Sequence, residues 1–242
     1  CNDNHHSYPI FKKIPIMLVK GKIPTHNGLF QETFDILNGK IKIAENLQIE
    51  KSEKTVDPYV QIAIAGTNSR FYQHLTGKLK RYPIPTFPMV PDNGKLLLDI
   101  GCNWGRWCIS ASKSGFVTVG IDPFLESIIA AKRISIQLGI ESRYLVADAR
   151  FLPFRQNLFD YCYSYSVLQH FSKPDVTKVL PEIKYILKPG GISQIHMLNK
   201  YGLGSVLSQL KRGFREAVSF ETRYWSSKEL LNTFEQTIGS SK

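Results

Sequence analysis

Leu98-Asp-Ile-Gly-Cys-Asn-Trp-Gly-Arg106 is the stretch on which the reading of this chain turns. The run Leu96-Leu-Leu-Asp-Ile100 is short and apolar apart from its acid, as a buried parallel strand is. It ends in a turn bearing Gly101 and Gly105, and residues 106–114 then read as a helix closed by Gly115. Glycines in a strand-to-helix turn let a ligand approach the backbone without a Cβ in the way. A dinucleotide fingerprint, G-x-G-x-x-G, would need glycine at 103 and 106, where Asn103 and Arg106 stand. The pyrophosphate cradle is therefore badly formed, and the triphosphate motif G-x-x-x-x-G-K-[ST] is absent from the chain.

Outward from that stretch the pattern alternates. Phe116-Val-Thr-Val-Gly-Ile121 reads as a second strand, and residues 124–138 follow with apolar residues at helical spacing. Arg143-Tyr-Leu-Val-Ala147 is a third strand, residues 159–167 a fourth and 192–198 a fifth. Val176, Val179, Leu180, Ile183, Ile186 and Leu187 form one helical stripe, in which Pro181 is expected to kink or restart the helix. Repeated strand–helix–strand units imply an α/β fold, a Rossmann-like doubly wound, mostly parallel sheet with helices on both faces. Its ligands bind beyond the carboxyl ends of the strands.

Three acids stand at those ends. Asp99 lies in the first strand, Asp122 ends the second about 20 residues on, where an acid accepts bonds from ribose hydroxyls. Asp148 follows the third and is in reach of an adenine amino group. Taken singly, Asp99 reads equally as a turn or cap residue and Asp122 as a turn former before Pro123. Together they suit a nucleoside with a positive charge and no phosphate, which is the polarity of S-adenosylmethionine.

The ordered series Asp99-x-Gly-x-x-x-Gly105, Gly120-Ile-Asp-Pro123, Ala147-Asp-Ala149, Phe159-Asp160 with Val167-Leu-Gln-His-Phe171, and Leu187-Lys-Pro-Gly-Gly191 resembles class I S-adenosylmethionine-dependent methyltransferases. The similarity is to the small-molecule and quinone-type group, over roughly residues 95–200. The resemblance implies that Asp99, Gly101, Cys102, Asn103 and Gly105 face the amino-acid part of the cofactor. It implies Asp122 and Pro123 at the ribose, Asp148 and Ala149 at the adenine edge, and Ser164 or Tyr165 as the floor near the sulfonium. The family turn usually has glycine where Asn103 stands, and Asn tolerates the left-handed backbone better than most residues. The family sheet usually has seven strands, of which five are legible, so the last strands are expected to be missing.

The acceptor is less sharply drawn. Tyr163-Ser-Tyr-Ser166 lacks the proline pair of amino methyltransferases acting on nucleobases, and Cys162 follows Tyr161 rather than the proline of cytosine C5 enzymes. Both nucleobase classes lose support, and the resemblance implies a small organic acceptor. His170 is the candidate general base, with a packing or capping role as its equal alternative. Trp104 and Trp107 read as packing residues, Cys102 and Cys108 as small buried fillers.

Composition narrows the partners. The chain has 242 residues, 43% hydrophobic and 21% charged, with a net charge of +11. That excess is spread along the chain, with only Lys78, Lys80, Arg81 and Lys211, Arg212, Arg215 clustered. A nucleic-acid binder concentrates its charge on one stripe, so an RNA acceptor is the less favoured alternative. A non-catalytic cofactor-binding scaffold is the other. No apolar run has the length of a membrane span. Cys1, Cys102, Cys108 and Cys162 show no paired spacing, which fits a reducing cytoplasm.

Tyr82-Pro-Ile-Pro-Thr-Phe-Pro-Met-Val-Pro91 and the residues to 94 read as an extended linker. It divides an N-terminal appendage, 1–81, from a catalytic domain, 95–242, with a glycine-bearing insert at 201–220. The start, Cys1-Asn-Asp-Asn-His-His-Ser-Tyr-Pro-Ile10, resembles a degenerate half of a zinc ribbon in an excerpted chain. Cys1 with His5 or His6 is half a metal site, so no bound metal is expected. Within residues 59–80, Phe71, Tyr72 and His74 are candidates to line an acceptor pocket, or equally core residues.

Overall fold

The computed structural model describes residues 7–19, five single positions between 31 and 40, residues 55–68 and residues 70–240. A small antiparallel pair, β1 (Ile10–Phe11) and β2 (Ile14–Pro15), precedes helix α1 (Pro58–Asn68). The core then runs β3 (Leu96–Ile100), α2 (Arg106–Lys113), β4 (Val117–Asp122), α3 (Leu125–Gln137), β5 (Ser142–Val146), β6 (Phe159–Tyr165), α4 (Lys173–Ile186) and β7 (Leu187–His196). Helices α5 (Leu203–Lys211) and α6 (Ser227–Thr237) follow.

The main sheet has the order β5-β4-β3-β6-β7, and every pair in it is parallel. The chain winds outward from β3 through β4 to β5, then crosses back to lay β6 on the other side of β3. Strand order therefore reverses between β3 and β6, the place where such sheets open a crevice for ligands. The expected doubly wound α/β architecture is present, with five strands in this sheet among the described residues.

Alternation along β3 explains the layers. Leu98 and Ile100 face one side, where they pack with Cys162 and with Val176, Val179, Leu180 and Ile183 of α4. Leu97 faces the other side, with Phe87, Ala111 and Tyr163. On that side Ile128, Ile129 and Ala131 of α3 pack on Tyr144 and Val146. Each fully buried aliphatic side chain contributes about 1.5–3 kcal/mol, so a one-residue slip of β3 would be costly.

Pro181 does not restart its helix. α4 is one α-helix with Pro181 on its exposed face, so the carbonyl of Thr177, also exposed, can bond to water. The helix is fixed at its start by Ser172, whose Oγ accepts from Asp175 N at 3.2 Å. The proline-rich stretch is extended, yet it is packed down: Phe87 is buried against Phe116 and Tyr163, and Pro85 O accepts from Ser110 Oγ at 2.6 Å.

The N-terminal stretches also belong to the core. Ile14, Ile16 and Leu18 fill the space beside Ile128 and Val146, and Met17 N donates to Val146 O at 2.8 Å along the edge of β5. Val60 of α1 packs on Ala130 and Ile134 of α3. Between these elements Asp57 is fully buried and takes two bonds from Arg133, from Nε at 2.8 Å and Nη2 at 3.0 Å. It also accepts from Tyr59 N at 2.9 Å, at the first turn of α1. Arg133→Met leaves that carboxylate buried without its cation. The expected loss is about 3–5 kcal/mol in urea denaturation, and a loss below about 1 kcal/mol would mean that Asp57 reaches water.

Candidate active site

The turn after β3 is held by its backbone. Gly101 N and Cys102 N both donate to Ile121 O, at 2.8 and 2.9 Å, which ties the turn to the end of β4. Gly101, Asn103 and Gly105 have φ of 72°, 47° and 79°. A Cβ on Gly101 would lie 2.4 Å from Val167 Cγ2, and one on Gly105 2.6 Å from the Tyr144 hydroxyl oxygen. Asn103 does adopt the left-handed conformation that the sequence required of it. Its side chain supports the turn, with Oδ1 accepting from Trp104 N at 2.9 Å and from the Tyr59 hydroxyl at 3.4 Å.

Sheet register brings two of the acids to one face. Asp99 pairs with Gly120, and Asp122 lies two residues further along β4, so the pleat directs both side chains the same way. Val146 pairs with Asp122, and Asp148 follows two residues beyond it on the rim of the sheet. The absent side chain of Gly120 leaves room for the Cys102 and Cys108 thiols, either of which a Cβ there would meet at 2.8 Å. Both cysteines are buried fillers, as read from the sequence.

Asp99 is 1% exposed. Its Oδ2 accepts from Cys108 Sγ at 3.4 Å, and its Oδ1 is buried with no partner among the described residues. Burial pushes the carboxyl up to about 7, against the smaller opposing effects of Cys108 and Arg106. Asp122 is better supported: Oδ2 accepts from Asn103 N at 3.1 Å and Oδ1 from Phe124 N at 3.0 Å. Burial still raises it to about 6. Each of its oxygens keeps a lone pair for a further donor.

Asp148 is engaged more fully than the sequence suggested. Oδ1 accepts from Arg150 N and Nε, and Oδ2 from Arg150 Nη2 at 2.6 Å. Arg150 also reaches Asp175 at 3.5 Å, which links this rim to α4. Ala149 is buried beside it, and Pro123 starts the loop into α3. Ser164 is wholly buried and donates to Ile100 O at 3.3 Å, whereas Tyr165 presents its ring, stacked on His196 at 4.3 Å. His170 is joined to the 201–220 insert: Nδ1 is 2.8 Å from Phe220 O and the two rings stack at 4.1 Å. Burial lowers its pKa, which keeps the imidazole neutral at pH 7 and leaves Nε2 as its second ring nitrogen.

Several residues of the rim escaped sequence reading. Tyr59 covers the turn from α1, within reach of Asn103 and beside Phe124, and burial near Asp122 raises its hydroxyl pKa. Arg106, Tyr163 and His196 also reach the rim; only the period-two spacing of Tyr161, Tyr163 and Tyr165 signalled any of this beforehand. Trp104 packs, as expected, in the core under α1. Tyr72 is half-buried and His74 exposed, while the side chain of Phe71 lies outside the described residues. So do Cys1, Asn4, His5 and His6; among the described residues no three metal-ligating side chains gather.

The donor set fits S-adenosylmethionine. A buried carboxylate oxygen without a partner suits a cationic group, a second carboxylate with spare lone pairs suits hydroxyls, and two glycines admit a ligand close to the backbone. Among the described residues Arg106 is the basic side chain that directly follows this turn, and its guanidinium lies over the rings of Trp107 and Tyr165.

Two outcomes follow from this geometry. Gly101→Ala combines a left-handed backbone with the Val167 clash, and should cost more than about 2 kcal/mol in thermal unfolding. Val167→Ala in the same chain should recover the steric part alone. Asp99 makes stability depend on pH: between about 4 and about 7 the unfolded carboxyl ionises while the folded one keeps its proton, so stability falls as pH rises. Asp99→Asn should therefore be more stable than the parent at pH 8 by on the order of 3 kcal/mol and equal to it near pH 4, as read by urea denaturation at both. A pH-independent difference would mean that Asp99 is not the titrating group.

Comparison with known proteins points to the same fold class. The methyltransferase-domain family model matches residues 97–191. A ubiquinone biosynthesis O-methyltransferase from Bradyrhizobium sp. (strain ORS 278) is 31% identical over 153 residues, 58% of this chain and 58% of that protein. The human mitochondrial arginine-hydroxylase NDUFAF5 is 36% identical over 105 residues, 43% of this chain and 28% of that protein. The chain thus spans less than two thirds of either relative's length. A crystal structure of a SAM-dependent methyltransferase from Methanosarcina mazei has a TM-score of 0.54 at 21% identity, covering 66% of this chain and 85% of that one. That likeness is one of fold. Motif order, strand order and the methyltransferase-domain match over 97–191 agree on a class I S-adenosylmethionine-dependent methyltransferase fold for this chain.

Proposed function

We propose that the protein transfers a methyl group from S-adenosylmethionine to a small organic acceptor. The observation that carries this reading is the buried Asp99 Oδ1, unpartnered among the described residues, beside a glycine turn and on the same face of the sheet as Asp122. When bound, the cofactor supplies a methyl group on a positively charged sulfur. Asp99 takes the cationic amino-acid end, and the 101–105 turn, with Cys102 and Asn103, lets that end lie against the backbone. Asp122, beside Pro123, takes the ribose hydroxyls on the lone pairs that Asn103 N and Phe124 N leave open. Asp148 and Ala149 border the adenine edge, and Arg150 holds the Asp148 carboxylate in one orientation.

Methyl transfer from a sulfonium needs in-line alignment and exclusion of water more than it needs a base. Tyr165 forms the floor beside the acceptor, above the buried Ser164. His170 serves the acceptor side through its hold on Phe220, which draws the insert toward the rim, and its neutral Nε2 is free to take a proton at pH 7. Tyr59 and α1 shield the turn from water on the other side. An RNA acceptor would call for a basic stripe, whereas the +11 charge is spread along the chain. Among the described residues no helix is long and apolar enough to cross a membrane.

Asp122→Ala should weaken S-adenosylmethionine at least tenfold by calorimetry with the fold intact, since it removes both ribose acceptors. The parent should also bind more weakly at pH 5.5 than at pH 8, because a cationic ligand favours the ionised Asp99. Unchanged affinity in the variant would remove Asp122 from the site. Binding without turnover on any acceptor would favour a cofactor-binding scaffold.

A further inference from the structure

Next to Asp99, on the same face of the sheet, lies a cluster whose free polar atoms are donors. Tyr163 pairs with Asp99 in register, and Tyr165 follows two residues on. Arg106, the first residue of α2, sets its guanidinium over the rings of Trp107 and Tyr165, with Cζ 5.5 and 5.4 Å from the centroids. The Trp107 ring is 5.1 Å from that of Tyr163 and 4.9 Å from that of Tyr165. Trp107 Nε1 is buried and has no acceptor among the described residues. Among the described residues the Arg106 guanidinium has no carboxylate or carbonyl partner, and neither tyrosine hydroxyl has a hydrogen bond.

Such an arrangement costs free energy on folding. A half-buried guanidinium loses hydration, and ring faces compensate it only in part. Asp99 is the nearest acid to act on it, yet burial disfavours the charge on Asp99 as well. The chemistry of such a cation calls for an anion. A guanidinium fork matches the two oxygens of one carboxylate, and the indole N–H and the tyrosine hydroxyls of the same cluster are further donors beside it. With a single cation present, a doubly charged phosphate would be poorly neutralised. The surrounding ring faces suit a flat, apolar body attached to that carboxylate.

We propose that Arg106, Trp107, Tyr163 and Tyr165 form a carboxylate-binding subsite, and that the methyl acceptor is a planar carboxylic acid docked there. The subsite stands on these contacts alone; its assignment to the acceptor rests on the methyl-transfer reading. The cofactor's amino-acid end also carries a carboxylate, so the test must separate the two sources.

The full chain, the variants R106K, R106M and W107F, and the probes benzoate, benzamide and S-adenosylhomocysteine are sufficient, with calorimetry and tryptophan fluorescence as readouts. The parent saturated with S-adenosylhomocysteine should bind benzoate at least tenfold tighter than benzamide. R106M should abolish that preference, R106K should retain part of it, and W107F should weaken benzoate several-fold. S-adenosylhomocysteine alone should bind every variant within about threefold of the parent. Should R106M fail to fold, R106K and W107F carry the same comparison. Equal binding of benzoate and benzamide by the parent, or an unchanged preference in the variants, would overturn the subsite. Loss of S-adenosylhomocysteine affinity in R106M, with benzoate unaffected, would give the carboxylate to the cofactor and overturn the acceptor assignment. Failure of the parent to bind S-adenosylhomocysteine would sink the methyl-transfer reading itself, and the acceptor assignment with it, whatever benzoate does.

Discussion

Asp99 ends up at the base of the strand-to-helix turn with one oxygen on the Cys108 thiol and the other without a partner among the described residues, and the surrounding structure depends on keeping it there. A carboxyl group in so dry a place opposes folding by an amount that is a large fraction of a domain's net stability. The opposite face of the same strand offsets this. Leu98 and Ile100 are sealed against α4, and shifting β3 by one residue would send Asp99 into that aliphatic layer. The turn is equally constrained, because both of its first N–H groups hang on the single carbonyl of Ile121. Position, register and turn geometry are thus one constraint seen from three sides.

The N-terminal stretches matter for the same reason. Charges act more strongly where water is kept away, and the α2–α3 face of the sheet would stand open without its cover. Ile14, Ile16 and Leu18 close it beside β5, and Val60 closes it over α3. The buried pair of Asp57 and Arg133 ties the start of α1 to α3, while Tyr59 extends from α1 to the side chain of Asn103. Cover and site are therefore mechanically joined: a change in how α1 seats on α3 would be felt at the turn.

Strand β6 divides two chemistries. Cys162 on one face joins the aliphatic core, while Tyr161, Tyr163 and Tyr165 on the other join Phe87, Trp107 and Phe116. The aromatic face lies at the reversal of strand order, where β3 and β6 part, and it ends at the half-buried cation of Arg106. One side of the crevice is acidic, at Asp99, Asp122 and Asp148, and the other is aromatic and donor-rich.

Much of this was legible in the chain itself. The runs around Leu98, Val119 and Leu145 mark strands because residues buried on both faces must be apolar, and the acids stand out because they interrupt or end those runs. Asn103 could be expected to take a left-handed backbone from its residue type and its place in the turn. What only the folded molecule decided are relations between residues far apart in the chain. Periodicity could not foresee that α4 would continue through Pro181, which depends on that proline facing solvent. Nor could it foresee that Arg150 would occupy Asp148, that Phe220 would hold His170, or that Arg106 would lie over the rings of Trp107 and Tyr165. Local pattern records which backbone each segment prefers and which side chains seek burial; which donor meets which acceptor is settled by the packing of segments that the chain keeps distant.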